Sequence, residues 1–346
     1  MTTTKKFPKL LGITIAIILA VGLIVGYKIY QIFLGASVTD AQKYLFVYTN
    51  DTYENVLSRI RTDNVVKDAD EFDYVSKAMK YPTSVKAGRY KLEKGMSNRR
   101  LIGNLRGGYQ EPVSLRFSNI RLKEDFAGFL GRNFEQDSLQ FLSLLTNEAV
   151  AEKYGFTKDN FYTMFIPNTY QIYWNTSADK VIDRLNEEYK KFWTAERIEK
   201  AKQQNLTPVE VSILASIVRG EALHNDEMPM IAGLYLNRLK RGMLLQADPT
   251  VIFANNDFSI RRVLNRHLTI DNPYNTYRYK GLPPGPINMP PIVAIDAVLN
   301  PSNHNYIYMC AKEDFSGYHA FAETVAEHQI NARKFQKALD ERNIKR

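Results

Sequence analysis

Glu221 is the residue in this chain best suited by type and setting to acid–base chemistry. It ends the run Ser212-Ile-Leu-Ala-Ser-Ile-Val-Arg-Gly-Glu221. Leu214, Ile217, Val218 and Glu221 fall at i, i+3, i+4 and i+7, the spacing of a single helix face. That face is apolar until it reaches the carboxylate. Desolvation against an apolar wall and the negative end of the helix dipole both disfavour the charged form, so both raise the pKa. An acid tuned in this way suits protonation of a glycosidic or ester oxygen. The competing reading has Glu221 simply ending the helix and facing water, as most charged residues do.

The elements that would position Glu221 are written in local signals. Thr207-Pro208-Val209-Glu210 is a capping box with proline at the first helical position. Gly220 and the polar His224-Asn225-Asp226 predict a helix end near Glu221. A second helix is expected over residues 229–241, carrying Asn237-Arg238 and stopped by Gly242. Gln246-Ala-Asp-Pro-Thr250 follows and reads as a turn. A glycosidase with paired carboxylates needs a second acid near Glu221, and Asp248 is the best candidate. The alternative role for Asp248 is a turn or helix cap. Asn237, Gln246 and Thr250 border the same stretch as candidate substrate contacts.

Loops rich in Pro, Asn and Gly lie at residues 271–277 and 281–288. Asn275, Thr276 and Asn288 there have the hydrogen-bonding capacity to hold sugar hydroxyl or acetamido groups, or to bond their own loops. His319, beside Phe321, either shapes a pocket wall or packs next to a strand. His224, His267, His304, His319 and His328 form no ligand pattern such as His-x-x-x-His. No phosphate-binding glycine loop and no Gly-x-Ser-x-Gly elbow occurs. These patterns point to a site of carboxylates, amides and aromatic rings, with no cofactor and no metal expected.

The formal net charge is +9, with lysine and arginine spread along the chain. That balance suits an anionic membrane surface or an acidic polymer. Without a recognised motif it argues against a nucleic-acid partner. The 21 tyrosines and 18 phenylalanines supply rings that stack on sugars, although most rings in such a chain are core residues. Cys310 is the only cysteine, so no intrachain disulfide can form and the domains must rest on packed cores.

Lys5, Lys6 and Lys9 precede an uncharged apolar run over residues 10–27, which residues 29–34 extend past Lys28. A transmembrane helix over residues 10–34 is expected. The run exceeds a usual signal-peptide core, and Gly35-Ala36-Ser37 is a weak cleavage site, which leaves a cleaved signal as the lesser reading. The lysine bias places residues 1–9 in the cytoplasm and the rest outside.

Beyond a linker over residues 36–44, a strand at 45–48, helices at 52–60 and 69–79, a strand at 87–92, a short helix capped by Ser97 and a strand at 113–117 make a small βααβ-type unit. Residues 118–205 are expected to be mainly helical, with runs at 123–134, 138–154 and 180–203. An aromatic, non-helical insert, Phe165 to Thr176, interrupts them. From residue 206 to the C-terminus the pattern is α+β, with a helix at 291–299, a strand at 306–310 and a C-terminal helix.

Several segments, taken in order, resemble the membrane-anchored endolytic murein transglycosylases of the YceG-like family. They include Phe165-Ile-Pro-Asn-Thr-Tyr170, Leu214-Ala-Ser-Ile-Val218 with Glu221, Ile231-Ala-Gly-Leu-Tyr-Leu-Asn-Arg-Leu239 and Leu245-Gln-Ala-Asp-Pro-Thr-Val251. Tyr274-Asn-Thr-Tyr277, Gly281-Leu-Pro-Pro-Gly-Pro-Ile287 and Gly317-Tyr-His-Ala-Phe321 with Glu327-His328 continue the series. The resemblance implies a LysM-like domain over 45–117 and a catalytic region over 118–346. It adds Tyr274 to the candidate substrate contacts and makes Glu221 the catalytic acid. It implies peptidoglycan glycan strands as substrate, with peptidoglycan synthases as candidate partners. The implied reaction cleaves the MurNAc–GlcNAc bond with formation of a 1,6-anhydro ring, in the service of terminating strand elongation. Members usually carry two glutamates two residues apart; here Arg219 stands at the first position. An arginine reaching Glu221 would lower its pKa. Two other readings are a hydrolase using Glu221 with Asp248, and a non-catalytic glycan-binding scaffold.

The lysine bias generates a test of topology. Protease added to intact spheroplasts is expected to degrade the part C-terminal to residue 36; full protection of that part would contradict the assigned orientation.

Overall fold

The structure, a computed structural model, describes residues 7–342. Lys5 and Lys6 of the expected cytoplasmic tail lie outside the described residues. The chain divides into two compact units: residues 1–114 with 171–176, and residues 115–170 with 177–346.

The first unit begins with helix α1 (Phe7–Leu34), which starts three residues before the expected span. Its stretch Leu11–Leu34 is long and apolar enough to cross a membrane. At about 1.5 Å per residue it exceeds the ~30 Å of a hydrocarbon core. Strand β1 (Tyr44–Val47), helices α2 (Tyr53–Thr62) and α3 (Ala69–Ala78), strand β2 (Gly88–Lys91) and helix α4 (Asn98–Gly107) follow. The two strands pair antiparallel, with Leu45 opposite Tyr90. Each helix start is chemically marked. Thr52 and Asn55 form a capping box on α2, Asp68 accepts from two backbone N–H groups of α3, and Ser97 caps α4. Gly108, at φ 75°, closes α4 in the left-handed conformation. Val47, Val56, Ile60, Phe72, Val75 and Leu101 are fully buried between the strands and helices. Asn98 is also buried, and its amide donates to the Ile32 carbonyl at 3.0 Å, which ties the end of α1 to α4. Trp174, from the segment 171–176 that completes this unit, packs on Phe46 and Tyr48. Strands β3 (Val113–Arg116) and β4 (Thr169–Ile172) lie where the chain passes from one unit to the other.

The second unit is mixed α+β. Its first helices are α5 (Lys123–Asn133), α6 (Ser138–Thr146), α7 (Glu148–Lys153), α8 (Ala178–Phe192) and α9 (Ala195–Gln203). The expected single helices over 138–154 and 180–203 are each broken in two. Asn147 caps α7 by accepting from Ala149 and Val150, and Thr194 caps α9 by accepting from Arg197. In both places a side-chain acceptor outcompetes helix continuation.

The remainder holds α10 (Pro208–Glu221), α11 (Met228–Lys240), α12 (Asp248–Asn255), α13 (Asn265–Leu268), α14 (Ile292–Leu299), strands β5 (Tyr308–Ala311) and β6 (His319–Ala322), and α15 (Val325–Glu341). Helix α12 begins where a turn was expected, and the short α13 lies in a stretch for which the sequence predicts no element. In α12, Asp-Pro occupies the helix start rather than a free turn. Helix α10 is the centre of this unit. Val211 through Val218 are all buried, and α11, α12 and α14 pack around it. Strands β5 and β6 pair antiparallel, with Met309 opposite Phe321, and α15 packs against them.

Leu214 is completely buried in the core around α10. Leu214→Ala is expected to cost about 2–5 kcal/mol. Lys240→Ala, at the exposed end of α11, should change stability by less than about 0.5 kcal/mol. Thermal unfolding of the detergent-solubilised chain separates the two.

Candidate active site

The C-terminal end of α10 presents Glu221. The helix reaches this point intact because Thr207 and Glu210 satisfy its first N–H groups reciprocally, with Pro208 at the first position. Opposite Glu221 stands Tyr235 of α11, itself buried, whose hydroxyl donates to Glu221 Oε1 at 2.8 Å. Glu221 keeps some surface toward a cleft, but its carboxyl is enclosed by protein. Desolvation is the largest influence on it and pushes its pKa up to about 7. The Tyr235 hydrogen bond pulls the other way, and the negative charge of Asp248 adds to the rise. Arg219 is not among these influences. Its guanidinium turns to the end of the helix and donates to the Ala222 carbonyl at 2.9 Å.

Asp248 is the first residue of α12, and Pro249 is the second. A Cβ on Gly220 would lie 2.8 Å from the Pro249 Cβ, so only glycine lets α12 seat this close to the end of α10. The packing therefore brings the two carboxylates to one cleft. Their surroundings differ. Asp248 is exposed and accepts from the Tyr277 hydroxyl at 2.6 Å. Burial, and then that bond to Asp248, push the Tyr277 phenol well above its ordinary range, so it stays a donor.

Behind the cleft, buried hydroxyls join two loops. The Thr250 hydroxyl donates to the Ala247 carbonyl at 2.7 Å and pairs with the Thr276 hydroxyl at 2.8 Å. Thr276 Oγ1 also accepts from the Ala247 N–H, and the Gln246 N–H donates to the Thr276 carbonyl. These bonds hold Gln246 at φ 51°, a left-handed conformation that a non-glycine residue adopts only when its surroundings enforce it. Arg238 completes the clamp. Its guanidinium donates to the carbonyls of Leu244 and Ile307 and to Gln246 Oε1, which leaves the Gln246 amide N–H2 for the cleft.

The cleft has a narrow arm of about 380 Å³, lined by Glu221, Tyr235, Arg238, Gln246, Asp248, Tyr277, Tyr308, His319 and His328 among others. A wider arm of about 1190 Å³ shares Glu221 and Asp248 with it. His319 is fixed by Glu227, a buried carboxylate that accepts from the His319 N–H at 2.6 Å and bonds its Nδ1 at 2.8 Å. His328, on α15, stacks on Tyr308, and burial holds its pKa below the ordinary value.

Of the residues singled out from sequence, Glu221, Gln246, Asp248 and His319 line the narrow arm, with Thr250 and Thr276 directly behind it. Five others sit elsewhere. The Asn237 amide is spent on the carbonyls of His304 and Tyr306. Buried Asn275 bonds Leu268, Ile270 and Tyr277 within its own loop. Tyr274 packs against Phe253 at 4.7 Å. Asn288 donates to the Ser216 carbonyl in α10, and Phe321 stacks on Tyr306. Tyr235, Tyr277 and Glu227, and Arg238 beside Asn237, join the site from outside the candidate contacts named above. Tyr235 and Arg238 are i, i+3 neighbours and so share a helix face, a signal that was available. Nothing in the sequence links Glu227 to His319. Among the described residues, no group of three or more His, Cys, Asp or Glu is placed to hold a metal ion.

Residues 45–334 match the YceG-like family. An endolytic murein transglycosylase of Bacillus subtilis strain 168 is 28% identical over 306 residues, covering 83% of this chain and 83% of that relative. An endolytic murein transglycosylase of Streptococcus pneumoniae serotype 2 strain D39 is 26% identical over 345 residues, covering 88% of this chain and 61% of that relative. The chain thus spans less than two thirds of the pneumococcal relative. A solved structure of a yceG-like protein from Listeria monocytogenes superposes with a TM-score of 0.55 at 22% identity, covering 83% of this chain and 97% of that one. That last likeness is one of fold.

The Glu221 geometry yields two expectations. Tyr235→Phe removes a donor to the charged form and should move the Glu221 midpoint above about 7, as read from its carboxyl signal in a pH titration by NMR; a midpoint unchanged or lowered would deny that role for the bond. Folding also raises this carboxyl from 4.5, so its contribution to stability is complete below about 4.5 and is lost as pH rises through about 7. Glu221→Gln should therefore gain stability relative to wild type above pH ~7, and the gain should shrink toward pH ~4.5.

Proposed function

The chain belongs to the YceG-like family, and on that premise we propose that it is an endolytic murein transglycosylase with Glu221 as its catalytic residue. The observation that carries the proposal is a carboxyl enclosed at the mouth of a cleft, with a pKa near 7. Such a group holds a proton at working pH and gives it up readily. Two relatives named for this activity support the reading.

In the proposed reaction, Glu221 protonates the oxygen leaving C1 of a MurNAc residue. The bond between C1 and that oxygen breaks, and positive charge develops at C1 and the ring oxygen. The resulting Glu221 carboxylate then takes the proton of the C6 hydroxyl on the same sugar. The C6 oxygen bonds to C1 and closes the 1,6-anhydro ring. Glu221 ends protonated, as it began, and no water is consumed. The Tyr235 hydroxyl suits this cycle because it donates to the carboxylate at the moment the charge appears. The exposed Asp248 carboxylate and the Gln246 amide border the same space and would steady the developing charge and the glycan.

The wider reading places this chemistry outside the cell. Helix α1 is compatible with a single-pass anchor. We propose that the N-terminus is cytoplasmic and that the two units face the wall, where cleavage would end the elongation of new strands beside peptidoglycan synthases. The βααβ order of the first unit, with Trp174, Tyr48 and Phe46 clustered on it, supports a LysM-like glycan-holding role.

A hydrolase reading has one observation in its favour, the electrostatic coupling of Asp248 to Glu221. The two readings part on product chemistry. Purified glycan strands treated with the full chain in detergent should yield anhydro ends, whereas a hydrolase leaves reducing ends. Glu221→Gln is expected to lose about a hundredfold or more in rate. Asp248→Asn should lose only part, because asparagine still accepts from Tyr277, and its products should keep anhydro ends. Equal, near-complete loss in both variants with reducing ends from the wild type would establish the hydrolase; no product from the wild type, together with glycan binding that is kept after Glu221→Gln, would establish a scaffold.

A further inference from the structure

We propose that the wide arm of the cleft is a binding site for the carboxylates of the peptides carried by muramyl residues, held by Arg261, Arg262 and Arg333. The proposal rests on the murein reading and deepens it. The three guanidinium groups come from separate parts of the chain. Arg261 and Arg262 lie between α12 and α13, and Arg333 lies on α15, yet all line one cavity. All three are exposed, and none is paired with a carboxylate among the described residues. Unpaired cations gathered on one concavity attract anions and raise their local concentration. Arginine in particular matches a carboxylate in two-pronged geometry. Ile252, Val263, Phe335 and Leu339 supply apolar wall between the charges. The arm as a whole therefore suits an anionic chain with aliphatic parts, such as a short peptide.

Position selects the source of the anion. The wide arm includes Glu221 and Asp248, so it opens directly from the reacting centre. Each muramyl residue carries its peptide through the lactyl ether at C3, two ring carbons from the C1 at which bond cleavage is proposed. A peptide on the reacting sugar must leave the cleft beside Glu221. The pyrophosphate of a lipid-linked strand is also an anion, but it sits at the strand end. For a cut inside the strand it lies sugars away from the carboxyl.

The test uses the full chain in detergent carrying Glu221→Gln, so that binding is read without cleavage. Three ligands are compared: peptide-bearing glycan strands, the same strands stripped of peptide by an amidase, and stripped strands ending in polyprenyl pyrophosphate. Peptide-bearing strands should bind roughly tenfold or more tighter than stripped strands at low salt, with the difference shrinking as salt rises. Adding Arg261→Gln, Arg262→Gln and Arg333→Gln together should abolish the difference, so that both strands bind alike. All three sites are on the surface, and circular dichroism verifies that the variant is folded. A preference that survives the triple change, or no preference at the start, overturns the proposal. Tight binding of the stripped pyrophosphate-ended strand alone would overturn it in favour of the lipid end. Failure of the murein reading shows separately, as absence of product from the unmutated chain, and the binding comparison still decides the role of the arginines.

Discussion

The enclosure of one carboxyl group at the end of α10 is the constraint on which the site depends. Glu221 cannot shed its proton cheaply because water is kept from it, and it cannot be wholly unsupported because Tyr235 donates to it at 2.8 Å. Burial and the hydrogen bond act in opposite directions, and burial wins. The helix core matters for this reason. Val211 to Val218 are buried against α11, α12 and α14, and that packing brings Tyr235 and Asp248 to the carboxyl. A site assembled on packed helices holds its geometry better than one assembled on free loops.

The loops that do take part are treated as if they were core. Thr250 and Thr276 are buried and joined hydroxyl to hydroxyl, and Arg238 clamps Gln246 from the opposite side. The outcome is a residue in an unfavourable backbone conformation, with its backbone N–H bonded to the Thr276 carbonyl and its side-chain amide held by Arg238. Polar side chains that read from the sequence as sugar contacts are largely engaged in building the wall. Asn237 and Asn275 bond backbone carbonyls, and Thr250 and Thr276 bond each other. The groups left for a ligand are fewer: Glu221, Asp248, the Gln246 amide, His319 Nε2 and the phenols around them.

Much of this architecture was legible in the chain, for local reasons. The capping box at Thr207 and the apolar spacing through Val218 define α10, and the same kind of signals mark α2, α3 and α4. The misread regions are those in which tertiary packing decides. Asp248-Pro249 reads equally as a turn or a helix start, and the seat against Gly220 selects the helix. The breaks at Asn147 and Thr194 are set by single side-chain acceptors inside otherwise helical runs. Glu221 was visible because its partner wall is its own helix. Glu227 was not, because its partner His319 is far along the chain and no periodicity connects them. Arg219, a departure at a position of interest in the sequence, turns out to serve the helix end instead.

The contact between Gly220 and Pro249 has one more consequence. Hydrogen bonds through Thr250 and Thr276 hold the Asp248 segment, but how closely α12 approaches α10 is set by a missing methyl group. A van der Waals contact between a glycine backbone and a proline ring is stiff against compression and indifferent to salt and pH. The two acids can change charge while their scaffold does not change shape. Electrostatics and geometry are therefore separable here, and the protonation of one carboxyl can be altered without redrawing the space in which a sugar ring must fit.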